Sequence, residues 1–274
     1  MIRLNHDFSP KDTFECGQCF RWNNYGTGYI GIASGKIARV EKNTVFCPEE
    51  DNEFWSGYFS VSTDYDEIKK ILTGSDTELK KCIEFGKGIR ILKQDVWETI
   101  ISFIISANNN IPRIKKIIET MCRSFGDRLK IPEGLGIPDG EYYSFPSPGR
   151  ILKAGLSALA PLRAGYRDKY IFHAAETVCG GQTDLTRLPS LSTQDAKKEL
   201  MKIKGVGGKV ADCILLFSLG RYETFPKDVW IKRVLNTVYG VSEKETDGFI
   251  AEKYGGYAGF AQQYLYYYYR ENNL

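Results

Sequence analysis

Lys209 is the side chain with the most chemistry in reach. It follows Gly205, Gly207 and Gly208 in the run LMKIKGVGGKVADCILLFSLG, residues 200–220, where two helical patterns flank a glycine-rich turn. Glycine permits positive φ and leaves backbone N–H groups uncovered, so such a turn at a helix N-terminus suits a phosphate. A plain helix–turn–helix corner has the same spacing. A lysine in the first turn faces the positive end of the helix dipole, which disfavours its charge by roughly 0.3–1 kcal/mol. Burial lowers its pKa further. Making half of it neutral at pH 7 takes about 4.6 kcal/mol, so burial or a second cation must add to the dipole. A neutral lysine amine forms Schiff bases with sugar carbons; a solvated lysine at a helix start is the plainer alternative. Nineteen residues on, Asp228 in FPKDVWIKRVL has the placement of an N-cap. Its carboxylate could also stabilise a cationic sugar.

The elements that must hold these residues fall into two kinds. CFRW, GYIGIA, GKIARV and TVFC, within the first 50 residues, are rich in β-formers and are broken by Asn23-Asn24, Ser34-Gly35 and Lys42-Asn43. Short helical stretches follow near 51–60 and 64–84. From about 90 the pattern becomes helical: Asp95 and Glu98 form a capping-box-like start to VWETIISFIISA, and Pro112 suits the first turn of IPRIKKIIETMCRSF. Residues 126–149, with five glycines and four prolines, read as a long irregular loop. Helical patterns resume near 150–160, 166–179, 192–203, 208–219, 229–239 and 256–270. The expected fold class is α+β: a small antiparallel β-sheet domain over 1–90, packed on a two-part all-helical body over 91–274 that contains a helix-hairpin-helix at about 192–220.

Composition narrows the class. The 274 residues are 42% apolar and 26% charged, the balance of a globular protein, and no apolar run approaches the ~18 residues of a membrane span. The N-terminus lacks the apolar stretch of a signal peptide, so an intracellular protein without a membrane partner is expected, in the cytoplasm or nucleoid if bacterial. Seven scattered cysteines read as free thiols, and Cys16-x-x-Cys19 has no second pair nearby to make a zinc or redox site. Two histidines leave little for a His-rich metal site or a Ser-His-Asp triad. The net charge is only +3, but residues 200–233 carry seven basic against three acidic side chains, as a phosphate-binding segment would.

With GVGGKVADC and the trailing PKDV in view, the chain resembles the helix-hairpin-helix, Gly/Pro-Asp superfamily of DNA glycosylases. GQCFRW at 17–22, QDVWETIISFIISANNNIPRI at 94–114, AGYRDKY at 164–170 and YAGFAQ at 257–262 narrow the resemblance to its 8-oxoguanine DNA glycosylase/AP lyase branch. That resemblance implies a monomeric repair enzyme acting on double-stranded DNA that contains oxidised guanine. It would excise 8-oxoguanine, preferably opposite cytosine, by base flipping and Schiff-base catalysis, and nick the strand as an AP lyase. Lys209 would be the nucleophile and Asp228 the catalytic aspartate. Gly17 would offer its carbonyl to the lesion's N7–H, Cys213 and Tyr266 would sandwich the base, and Gln262 would read its pairing edge. Asn108 would fill the hole left in the duplex, Tyr166 would wedge the stack, and Arg113 and Arg167 would hold the unpaired cytosine. Gly205, Gly207 and Gly208 would grip the DNA backbone.

The chain departs from the family in carrying Cys19 for serine and, against eukaryotic members, Trp230 for histidine and Tyr266 for phenylalanine. No cofactor is required by this reading, although a structural cation at the hairpin is compatible with it. An iron–sulfur cluster is excluded because no cysteine follows Cys213. Two rival readings are a glycosylase of the same superfamily for another damaged base and a non-catalytic helix-hairpin-helix module that grips DNA.

Overall fold

The protein is described here as a computed structural model covering residues 1–74 and 76–272, and its fold is α+β. Strand β1 (Ile2–Arg3) leads into helix α1 (Pro10–Glu15), followed by β2 (Trp22–Tyr25), β3 (Gly28–Ala33), β4 (Lys36–Glu41) and β5 (Thr44–Phe46). The strands pair antiparallel in the order β1-β5-β4-β3-β2. Ser34-Gly35 and Lys42 make the expected turns with positive φ. Asn23 and Asn24 do not: both lie inside β2, and the chain turns at Gly26, whose φ is +55°.

The sheet is covered on both faces. On one, Phe14, Trp22, Trp55 and Phe59 form an aromatic core in which Phe14 and Trp22 stack at 4.1 Å. Gly31 is required there, because a Cβ would lie 2.1 Å from the Trp22 ring. On the other face, Ile30, Ile32 and Ile37 are capped by Leu129, Ile137 and Tyr142 from the 126–149 segment. That segment is pinned rather than loose: Leu129 N donates to the Tyr142 carbonyl at 2.7 Å and Arg39 Nε to the Leu135 carbonyl at 2.8 Å. Double coverage explains why all six residues of β3 are buried.

Helices α2 (Asn52–Tyr58), α3 (Tyr65–Thr73) and α4 (Thr77–Phe85) follow the sheet. The 64–84 stretch is thus two helices, split because Asp76 caps α4 by accepting from the Glu78 and Leu79 amides. The second oxygen of Asp76 accepts from the hydroxyls of Tyr239 and Tyr254, so one buried carboxylate also ties α4 to the C-terminal part of the chain. The rest is helical: α5 (Val96–Ser106), α6 (Ile111–Phe125), α7 (Pro148–Ala154), α8 (Arg167–Cys179), α9 (Thr193–Leu200), α10 (Gly208–Leu219), α11 (Val229–Thr237), α12 (Thr246–Tyr254) and α13 (Ala258–Glu271). The helix expected over 150–160 stops at Ala154, since Gly155 takes φ +82°, and the chain continues as a 3-10 turn over Leu156–Leu162.

Helix α10 runs through the middle of the helical core, buried from Val210 to Phe217 and packed on α5, where Phe103 stacks on Phe217 at 5.6 Å. Two of the sequence motifs, GQCFRW at 17–22 and the start of QDVWETIISFIISANNNIPRI at 94–114, lock onto each other beside it. Buried Gln18 donates to the Thr13 and Arg90 carbonyls and accepts from the Leu92 amide. Gln94 then bonds the Gln18 carbonyl with its side chain and the Phe217 carbonyl with its amide. Asp95 caps α5 as expected, but Glu98 does not complete a capping box; it faces Arg21 at 3.7 Å. Burial pushes the Glu98 carboxyl up to about 7, against the pull of Arg21. Helix α13 closes the assembly from the other side, with Gln263 donating to the Cys16 carbonyl at 2.9 Å.

Candidate active site

Between α5, α10, α11 and α13 lies a cavity of about 700 Å³. Its lining brings together Gly17, Asn108, Lys209, Cys213, Asp228, Gln262 and Tyr266, drawn from five separate stretches of the chain. Each is placed by a local reason. Gly207 is the N-cap of α10, so Lys209 occupies the first turn and points into the cavity, its Nζ 5.4 Å from the centre of the Phe103 ring. Cys213 stands one turn below, close enough to influence it. Asp228 caps α11, accepting from the Ile231 amide at 2.8 Å, and its carboxylate lies close enough to influence Lys209. Gln262 is buried with its side-chain oxygen unpartnered. Gly17 takes φ +87° and abuts Tyr266, whose ring edge would be 3.2 Å from a Cβ.

Electrostatics corrects one expectation. Burial does act to lower the Lys209 pKa, but its neighbours, of which the Asp228 carboxylate is the charged one near neutral pH, outweigh it and hold the amine above its ordinary value. The resting group is an ammonium. The Cys213 thiol is itself pushed up to about 11 by burial, against the pull of Lys209, so it stays protonated near neutral pH. Burial likewise raises Tyr266.

The three consecutive asparagines divide their work. Asn109 donates from its side chain to the Ile105 carbonyl at the end of α5, and Asn110 caps α6 by accepting from the Arg113 amide. That leaves Asn108 exposed at the cavity edge, with φ +49°. Outside the cavity, Tyr166 is 54% exposed and packs edge-on to Tyr170. Arg113 is exposed, with one nitrogen on the Arg163 carbonyl at 3.1 Å.

Arg167 departs from its expected placement. It is 3% exposed, and its guanidinium is spent on the carbonyls of Ala107, Asn108 and Ala164, while stacking on Tyr166 at 4.5 Å. Its fork therefore clamps the Asn108 turn rather than standing free beside Arg113.

The hairpin glycines lead into the first turn of α10 and are not among the residues that line the cavity. Gly205 takes φ +92°, and a Cβ there would lie 2.9 Å from the Tyr170 ring. Gly207 has nothing within 4 Å of such a position, and Gly208 meets only the Lys197 chain at 3.9 Å, so the space beside both is open. The basic excess over 200–233 is smaller than it reads: Lys202, Lys227 and Lys232 pair with Glu199, Asp247 and Glu243, all three of which lie outside the segment. All seven cysteines are free thiols, and among the described residues no three His, Cys, Asp or Glu side chains are grouped to hold a metal ion.

Several lining residues carry no sequence signal of their own. Phe20, Phe103 and Phe217 look like ordinary core, and Val229, 75% exposed at the rim, looks like part of a helix face.

Comparison with known proteins agrees with this geometry. The family described as 8-oxoguanine DNA glycosylase, N-terminal domain, matches residues 1–100, and the HhH-GPD superfamily base excision DNA repair protein family matches residues 101–255. An N-glycosylase/DNA lyase of Saccharomyces cerevisiae is 32% identical over 84% of this chain and 68% of its own. The N-glycosylase/DNA lyase OGG1 of Arabidopsis thaliana is 31% identical over 97% of this chain and 78% of its own. The 8-oxoguanine glycosylase/lyase of Clostridium acetobutylicum, solved with double-stranded DNA containing cytosine opposite 8-oxoguanine, superposes with a TM-score of 0.90 at 42% identity, covering 98% of this chain and 94% of that one. The chain belongs to the 8-oxoguanine DNA glycosylase family, within the HhH-GPD superfamily of base excision DNA repair proteins.

Proposed function

We infer that this protein is a bifunctional DNA glycosylase/AP lyase that removes 8-oxoguanine from duplex DNA. The observation that carries the reading is the placement of an amine nucleophile, Lys209, in a cavity large enough for an extruded base, with Asp228 and the unpartnered amide oxygen of Gln262 on the same walls. A base in a duplex must be flipped out at a cost of a few kcal/mol before an enzyme can reach its sugar bond. Asn108 at the cavity edge and Tyr166 outside it are placed to fill the gap and wedge the stack. The flipped base then lies between the Cys213 side chain and the Tyr266 ring. Guanine presents a bare N7, an acceptor, whereas 8-oxoguanine carries a hydrogen there. The Gly17 carbonyl therefore attracts the lesion and repels guanine, and Gln262 meets the pairing edge.

Chemistry follows from the protonation states. Lys209 rests as an ammonium, so Nζ must lose a proton before it attacks C1′. The base leaves as an anion when its bond to C1′ breaks, and that anion is a suitable acceptor. Asp228 stabilises the positive charge that develops on the sugar in between. The Nζ–C1′ bond first gives an aminal. The C1′–O4′ bond then breaks as a proton passes from Nζ to O4′, opening the sugar and leaving a protonated imine. Loss of a C2′ proton then expels the 3′ phosphate, and the strand is nicked. Gly207 and Gly208 open α10 at the positive end of its dipole, with Gly205 in the turn just before them, which supports a role in holding the DNA backbone.

The test is a set of four duplexes with 8-oxoguanine opposite each base. Base release followed by strand cleavage, fastest opposite cytosine, is expected; absence of 8-oxoguanine release from every duplex would overturn the reading.

A further inference from the structure

One member of the cavity's supporting wall belongs to none of the motifs. Arg270 stands one helical turn after Tyr266 on α13. Its guanidinium lies 5.4 Å from the Tyr266 ring centre, and Nη2 donates to the Glu15 carbonyl at 2.6 Å and to Glu271 at 2.8 Å. Nη1 is buried with no hydrogen-bond partner. That nitrogen is next to Gly17: a Cβ built there would be 3.2 Å from Arg270 Nη1 and 3.2 Å from Tyr266 Cε1. A partly buried cation with one buried, idle donor is an expensive way to fill space that an apolar side chain would fill without penalty. What a planar cation adds is a rigid link. It bonds the main chain two residues before Gly17 and stacks on Tyr266 at the same time.

We propose that Arg270 is a positioning residue for lesion recognition: it fixes the spacing between the Gly17 carbonyl and the Tyr266 ring, and through it the selectivity for an N7-protonated purine over guanine. The inference rests on the base-pocket reading above. Rejection of guanine there depends on two acceptors, its N7 and the Gly17 carbonyl, being forced together. Hydrogen bonds and their repulsive counterparts are steep in distance and angle. A wall free to shift lets guanine slide away from the carbonyl and lets 8-oxoguanine lose its bond. The missing Cβ at Gly17 is part of the same device, since it leaves room for Arg270 and Tyr266 to close on the turn.

The experiment compares Arg270→Met with the wild-type protein on three duplexes, each opposite cytosine: 8-oxoguanine, guanine and a tetrahydrofuran abasic analogue. The ratio of guanine to 8-oxoguanine Kd should fall by about tenfold or more in Arg270→Met, while affinity for the abasic duplex, which puts no base in the pocket, stays unchanged. An unchanged ratio, or an equal loss on all three duplexes, overturns the proposal. Should Arg270→Met fail to fold, Arg270→Lys decides: a reduced ratio at unchanged abasic affinity supports the proposal, and a wild-type ratio overturns it. A wild-type protein that binds 8-oxoguanine and guanine duplexes alike would overturn the base-pocket reading itself, and the proposal with it.

Discussion

Arg113→Ala should erode the preference for cytosine opposite the lesion, whereas Arg167→Ala should not. Both arginines resemble residues that hold the unpaired cytosine, but the structure places them differently. Arg113 is exposed and gives one nitrogen to the Arg163 carbonyl. A bidentate contact to a base edge discriminates by about 1–3 kcal/mol, and surrendering the Arg163 bond costs about 1 kcal/mol. The net, up to about 2 kcal/mol, corresponds to as much as roughly 30-fold in rate. Adenine cannot substitute for cytosine here, because its amino group opposes the guanidinium donors. Arg167 instead holds three carbonyls around the Asn108 turn. Its removal leaves the Ala107 and Ala164 carbonyls short of partners, at about 1–3 kcal/mol for each buried group left unsatisfied. The protein should be less stable, and a loosened Asn108 turn should slow excision opposite every base by one common factor. Single-turnover excision opposite C, A, G and T, with thermal denaturation of each variant, separates the two. Equal loss across the four bases in Arg113→Ala, or loss confined to cytosine in Arg167→Ala, would refute the reasoning.

Three other perturbations follow from single contacts. Asp228→Asn keeps an acceptor for the Ile231 amide, so thermal stability should change little while excision falls by about 10²–10³-fold with the lost charge. Gly205→Ala forces a Cβ against the Tyr170 ring at φ +92°; it should lower unfolding free energy by about 1–3 kcal/mol and weaken duplex binding, both read directly. Glu98 has a folded-state pKa raised by burial from 4.5 to about 7, so folding favours its protonated form. Its contribution is complete below pH 4.5 and is lost as pH rises through about 7, roughly 3 kcal/mol in all. Urea unfolding at pH 5 and pH 8 should show that decline, and Glu98→Gln should flatten it.

How far the sequence could be read depended on what each residue answers to. The glycine turn before Lys209, the cap at Asp228 and the β-hairpins at Ser34-Gly35 and Lys42 are local, and local chemistry declares them. Gly17, Cys213, Gln262 and Tyr266 are ordinary residues taken singly; only the ordered motifs of a resemblance gather them, and the cavity is where they meet. The split between α3 and α4 was available in Asp76, whose cap signal is hidden inside a continuous helical pattern. Long-range packing was not available. Nothing in the glycine- and proline-rich 126–149 segment announces that Leu129, Ile137 and Tyr142 cover the second face of the sheet. Arg167 illustrates the same limit, since its type and spacing suit a base and its burial assigns it to carbonyls 59 and 60 residues away. The ammonium state of Lys209 depends on the Asp228 carboxylate reaching it from the start of α11, which a helix dipole argument on one element does not contain.

The central claim is that Lys209 forms a covalent imine with the sugar of the lesion, and borohydride trapping tests it most directly. Incubated with an 8-oxoguanine·cytosine duplex and borohydride, the wild-type protein should become covalently joined to DNA, with the adduct mapping to the peptide that contains Lys209. Lys209→Gln should still bind the duplex and give neither adduct nor base release. A wild-type protein that releases the base without a trappable adduct, or a Lys209→Gln variant that is trapped as efficiently, would contradict the mechanism.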